Sequence, residues 1–141
     1  MSATERLREH FWGLDLNRGN MELTKREDMY CYFIVEHTSD SEFAYKQALS
    51  LLVAGCRNFV FYGKAEAIWH LQTDLADIQM NPEMEEVALT SSVDSFDDFV
   101  DGLAELLSIR PFVPFHTYLI YDDREIYAEV LKRLKIAGKT A

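Results

Sequence analysis

From Met29 onward the chain switches repeatedly between two hydrophobic periods. The run Met29-Tyr30-Cys31-Tyr32-Phe33-Ile34-Val35 is continuously apolar and rich in strand-favouring residues, the pattern of a strand covered on both faces. Ser39 and Glu42 then stand at a capping-box spacing, and Phe43, Ala44, Ala48, Leu51 and Leu52 follow at helical spacing until Gly55. Asn58 to Tyr62 forms a second apolar run ended by Gly63. Ile68, Leu71, Leu75 and Ile78 mark the buried stripe of a second helix, which Asn81-Pro82 closes. His70, Asp74 and Asp77 share the opposite face of that helix, the one expected to meet solvent. Glu86 to Ser91 reads as a third strand. Ser95 and Asp98 repeat the capping box ahead of Phe99, Val100, Leu103, Leu106 and Leu107. His116 to Tyr121 is a fourth strand, and Asp122-Asp123 precedes a last helix burying Ile126, Tyr127, Val130, Leu131 and Leu134.

The pattern predicts strands at 29–36, 58–62, 86–91 and 116–121, with helices at 40–54, 64–79, 96–109 and 123–136. Such alternation implies parallel strands joined by right-handed crossovers. The expected fold is a small Rossmann-like or flavodoxin-like α/β three-layer sandwich: a four-stranded parallel sheet with helices on both faces and strand order 2-1-3-4. Residues 29–141 form this single domain. Residues 1–28 read as an N-terminal helical arm, with Leu7, Phe11 and Leu14 on one face and a polar stretch from Asn17 to Asp28. The arm would cap a sheet edge or hold a partner.

With 141 residues, 48% of them hydrophobic, the chain can bury a core without staples. The two cysteines, Cys31 and Cys56, sit in apolar company and are expected as free thiols in a reducing cytoplasm. No apolar run approaches the roughly 18 residues of a membrane span, so no membrane partner is expected. A net charge of −10 argues against a nucleic-acid partner.

In open parallel sheets ligands sit beyond the carboxyl ends of the strands. Here those ends supply Glu36, His37, Asp40, Tyr62, Ser91, Asp122 and Asp123, a polar, acidic set from which a small enzyme or ligand sensor could draw a general base. The chain has no G-x-G-x-x-G, no phosphate-binding G-x-x-x-x-G-K-[ST] and no G-x-S-x-G elbow. No cofactor, metal or catalytic residue is assigned.

Charge placement changes the picture more. Between Lys64 and Glu105 eleven acids face one base, so this segment carries a net −10 by itself. Asp74, Asp77, Glu83, Glu85, Glu86, Asp94, Asp97, Asp98, Asp101 and Glu105 therefore form the candidate surface for a basic protein partner, whose approach a one-signed field accelerates. Tyr62-Gly63, Trp69-His70, Asp74, Asp77-Ile78 and Ala88-Leu89-Thr90-Ser91 give roughly half of the chain a look that resembles small acidic α/β immunity proteins of bacteria, including those of contact-dependent growth inhibition systems. That resemblance implies a toxin partner, such as a nuclease, bound one to one without turnover. It carries over no residue roles.

Overall fold

Burial decides where each strand lies. The computed structural model describes residues 4–18, 28–84, 87–109 and 115–136. Six strands form one sheet: β1 (Thr4–Arg8), β2 (Phe11–Asp15), β3 (Met29–Ile34), β4 (Cys56–Tyr62), β5 (Leu89–Ser92) and β6 (His116–Tyr121), in the order β1-β2-β6-β3-β4-β5. All neighbours pair in parallel except β1 and β2. β3 and β6 are buried along almost their whole length and occupy the middle, whereas β5, Leu-Thr-Ser-Ser, is largely exposed and can only be an edge. The α/β class is as expected; the predicted order 2-1-3-4, which placed the third of those strands inside, is corrected to 4-1-2-3. The polar make-up of Thr90, Ser91 and Ser92 is the reason.

The helical arm is also corrected. Residues 4–15 form the β1–β2 hairpin, turned at His10 with φ of 63°, and Leu16–Arg18 adds one 3-10 turn; residues 19–27 of the expected polar stretch lie outside the described residues. Leu7, Phe11 and Leu14 are strand residues, with Phe11 and Leu14 facing the core. Gly13 lets β2 pass directly over α4 (Arg124–Arg133), since any Cβ there would overlap the Tyr127 hydroxyl.

Helices α1 (Ser41–Ala54) and α2 (Glu66–Met80) cover one face, meeting Cys31, Phe33, Phe59 and Phe61. α3 (Phe96–Ile109) and α4 cover the other, meeting Tyr32, Ile34, Leu119 and Tyr121. The chain steps outward from β3 to β5 and then returns across the sheet to β6. Reversal of direction with unchanged crossover handedness puts the returning helix on the opposite face.

Local signals behaved unevenly. Asp40, rather than Ser39, caps α1 by accepting from the Phe43 N–H at 3.1 Å, and Gly55 ends it at φ of 110°. Ser95 caps α3 through the Asp98 N–H as expected. Helix α2 is rotated relative to its expected stripe. Trp69, Thr73 and Ala76 face the sheet, while Leu71, Leu75 and Ile78 are 56, 45 and 53% exposed. One large aromatic with small neighbours lets the helix sit close to the sheet. Trp69 fills the space against Phe33 and Phe43 and donates its indole N–H to the Thr38 carbonyl at 2.8 Å. Cys31 and Cys56 are free, buried thiols 3.0 Å apart. Burial, reinforced by Cys56, pushes the Cys31 thiol well up.

Candidate functional site

At the carboxyl end of the sheet, β3 and β6 are neighbours whose helices leave to opposite faces, which makes the crevice between them the topological switch point. Asp122 fills it. Its two oxygens accept from the backbone N–H groups of Glu36 (2.8 Å), His37 (2.9 Å) and Thr38 (2.7 Å). Three successive backbone amides converging on one point make a concavity suited to an anion, here closed by a carboxylate of the same chain. Behind it, Asn17 donates to the Asp122 carbonyl, and buried Asp15 accepts from the Asn17 N–H and faces Arg124 at 3.5 Å.

The other strand-end residues are committed in the same way. Asp123 caps α4 through the Ile126 N–H and pairs with His37 Nε2 at 2.8 Å. The Ile126 amide first, and His37 after it, hold the Asp123 carboxyl below its ordinary value. Asp40 caps α1, and Glu36 accepts from the Lys64 N–H with the Lys64 ammonium 3.6 Å away. Tyr62 packs on Phe96 and Phe99, and partial burial raises its hydroxyl pKa. Ser91 lies on β5, three strands from β6, so it is displaced from Asp122 by roughly 14 Å across the sheet alone at ordinary strand spacing. The structure brings Glu36, His37, Asp122 and Asp123 together but not Ser91. Beside them is an open depression of about 280 Å³ lined by Glu36, Tyr62, Lys64, Glu66, Val93 and Asp94. Among the described residues no three His, Cys, Asp or Glu side chains are grouped to hold a metal ion, and no helix is long and apolar enough to cross a membrane.

The acidic residues divide by layer. Asp77 is buried, contrary to its expected solvent-facing role. It accepts from Asn81 Nδ2 at 2.7 Å and from the Ala88 N–H at 2.9 Å, tying the end of α2 to the approach of β5. Asp74 accepts from the Thr90 hydroxyl at 2.7 Å and lies 3.5 Å from His70 Nε2, which leaves it half exposed. Asp97 pairs with Arg133 at 3.0 Å. Glu83, Asp94, Asp98, Asp101 and Glu105 are exposed, the last three on one face of α3; Glu85 and Glu86 lie outside the described residues. The acids thus lie in both layers of the sandwich, Asp74 bonded to β5 from the α2 side and the α3 group on the outer side of the opposite layer.

What the sequence reading missed is the apolar part of this region. Of eight exposed large hydrophobic side chains among the described residues, six fall between Leu71 and Leu89: Leu71, Leu75, Ile78, Met84, Val87 and Leu89. Leu71 and Ile78 stand at i−3 and i+4 from Asp74, so carboxylate and apolar groups share one helix surface. Concentration of exposed apolar area in one region marks a contact surface. The available signal was the small-residue set on the other side of α2, Thr73 and Ala76 beside Trp69. Comparisons with protein-family models, with curated proteins and with solved structures give no match to this chain.

Proposed function

We propose that the protein is a binding protein that acts in the cytoplasm by taking up a basic protein partner on the surface formed by α2 and β5, with the acids of α3 adding to its negative field from the opposite layer. The observation that carries this reading is the coincidence, in one stretch of chain, of six exposed apolar side chains and a net −10. Interfaces need apolar contact area at the centre and polar groups at the rim. Asp74 supplies such a polar group beside the apolar side chains of α2, the exposed Asp94, Asp98, Asp101 and Glu105 add to the field, and the sign of that field selects a positive partner. An inhibitor or immunity protein that neutralises a nuclease toxin has this character, because a groove built to hold phosphates accepts carboxylates in their place. The strand-end carboxylates support the same reading, since their acceptor capacity is spent on the fold.

The test uses the partner captured from the native host and the quadruple variant Asp94→Asn, Asp98→Asn, Asp101→Asn and Glu105→Gln. These side chains are exposed, so folding should be nearly unchanged. The association rate of the variant should fall roughly tenfold at low salt, and the wild-type rate should approach it as salt rises. Equal rates for the two proteins, with no salt dependence, would remove the acidic surface from the function.

A further inference from the structure

The two edges of the sheet are built differently. β1 carries Glu5, Arg6 and Arg8, shifts register against β2 between Arg6 and Arg8, and is tied to α4 by the Tyr127 hydroxyl donating to Glu5. Charge and irregularity of this kind are how proteins stop an edge from recruiting another strand. β5 carries none of them: Leu89, Thr90, Ser91 and Ser92 are uncharged and pair regularly with Asn58 through Phe61.

In a parallel ladder the backbone groups of alternate residues point to opposite sides. The Val93 N–H donates to the Phe61 carbonyl at 2.9 Å, so Leu89 and Ser91, in phase with it, face β4. Thr90 and Ser92 turn their N–H and C=O groups outward. The amide before them in that row, Ala88, is already taken by Asp77, which bounds the free edge at Thr90. The side chains of Thr90 and Ser92 are fixed on the α2 side by Asp74 and by His70 Nδ1, at 2.7 Å each, which holds the backbone extended. On the opposite side Leu89 is 70% exposed.

We infer that β5 receives an extended lysine- or arginine-bearing segment of the partner protein as an added strand, hydrogen-bonded to the backbone of Thr90 and Ser92. The inference rests on the proposed basic-partner reading and adds the mode of contact. Main-chain bonds would supply affinity and alternate side chains selectivity. Those on one face of the added strand meet Leu89, and those on the other meet Asp74. Charge decides against a second copy as occupant, because two segments of net −10 would then lie side by side.

The probe is a short synthetic peptide alternating Lys with Val and Thr, compared with the same peptide N-methylated at alternate amides. Binding is read by fluorescence anisotropy. Ser92→Pro removes an outward N–H that the sheet does not use, a position where an edge tolerates proline. Ser92→Pro and N-methylation should each weaken binding roughly tenfold. Leu89→Lys, at an exposed position that the fold does not need, should act in the same direction by guarding the edge with a cation. It keeps the test decisive if the proline variant does not fold. Failure of the unmodified peptide to bind overturns the inference. So does equal binding of both peptides, or of parent, Ser92→Pro and Leu89→Lys; charge alone would then hold the basic segment, and the basic-partner reading would stand without strand addition. A concentration-dependent dimer that Leu89→Lys abolishes would assign the edge to a second copy and overturn it as well. The basic-partner reading fails separately, by salt-independent association of the captured partner.

Discussion

The crevice between β3 and β6 and the surface around β5 are both acidic, yet one is closed and the other bare. In the crevice each carboxylate has a structural partner: Asp122 takes three backbone amides, Asp123 and Asp40 cap helices, and Glu36 meets Lys64. Around β5 Asp74 and Asp77 are bonded within the fold as well, but exposed apolar side chains and the outward backbone groups of Thr90 and Ser92 are left unclaimed by the sheet. Polar groups satisfied at close range rigidify a fold and leave little to offer a ligand. Groups that the fold leaves unclaimed are the ones from which an interface can be made. The difference separates groups that hold this chain together from groups that are free to face another.

The largest effect that would test this contrast is expected at Asp122. Asp122→Ala strips a charged acceptor from three amides at once and should cost about 3 kcal/mol in urea denaturation. Amide exchange at Glu36, His37 and Thr38 should accelerate with it. Asp122→Asn should recover only part of the loss, because its amide nitrogen presents a donor to donors. A cost below about 1 kcal/mol would mean that water replaces the carboxylate freely, and the crevice would then be an open polar pocket like any other.

The strand and helix types were legible because Met29–Ile34 and His116–Tyr121 are apolar on both faces and helices such as α3 carry a clean stripe. The order of the strands was misread as 2-1-3-4; the polar residues of β5 mark that strand as an edge but do not place the others. The β1–β2 hairpin was hidden because Leu7, Phe11 and Leu14 fit helical spacing as well as they fit two short strands. Helix α2 was misread for a different reason. Its sheet-facing side uses Trp69, Thr73 and Ala76, so the strongest apolar stripe lies on the outside. Long-range bonds such as those from Asp122 to the loop after β3 have no sequence signature, since the residues that meet are 84 to 86 positions apart.

A smaller effect tests the same contrast at Asp123. Its carboxyl is held below the ordinary value, chiefly by the Ile126 amide and then by His37, so across the acid range the unfolded chain binds more protons at this position than the folded one. The stability it contributes is complete above the ordinary carboxylate range and is lost as pH falls through the lowered value. Asp123→Ala should cost about 1 kcal/mol at neutral pH, as for other helix caps, and the deficit should close in acid. Urea titrations of both proteins across the acid range give the comparison. A deficit that stays constant down to low pH would show that the carboxylate charge plays no part in the cap.

The smallest effect on stability is expected where the sequence pattern placed core. Leu71→Gln, Leu75→Gln and Ile78→Gln should each change unfolding free energy by no more than about 0.5 kcal/mol, since all three side chains are about half exposed. Glutamine is as good a helix former as leucine and better than isoleucine, so the helix itself loses nothing. The triple variant should melt like the parent and bind the captured partner more weakly, mainly through faster dissociation, because apolar contact governs residence more than encounter. That signature is opposite to the one expected for the acidic quadruple variant, whose effect falls on the association rate. A combined stability loss above about 2 kcal/mol would show that the stripe packs within the fold and would return it to the core, where its periodicity first suggested it belonged.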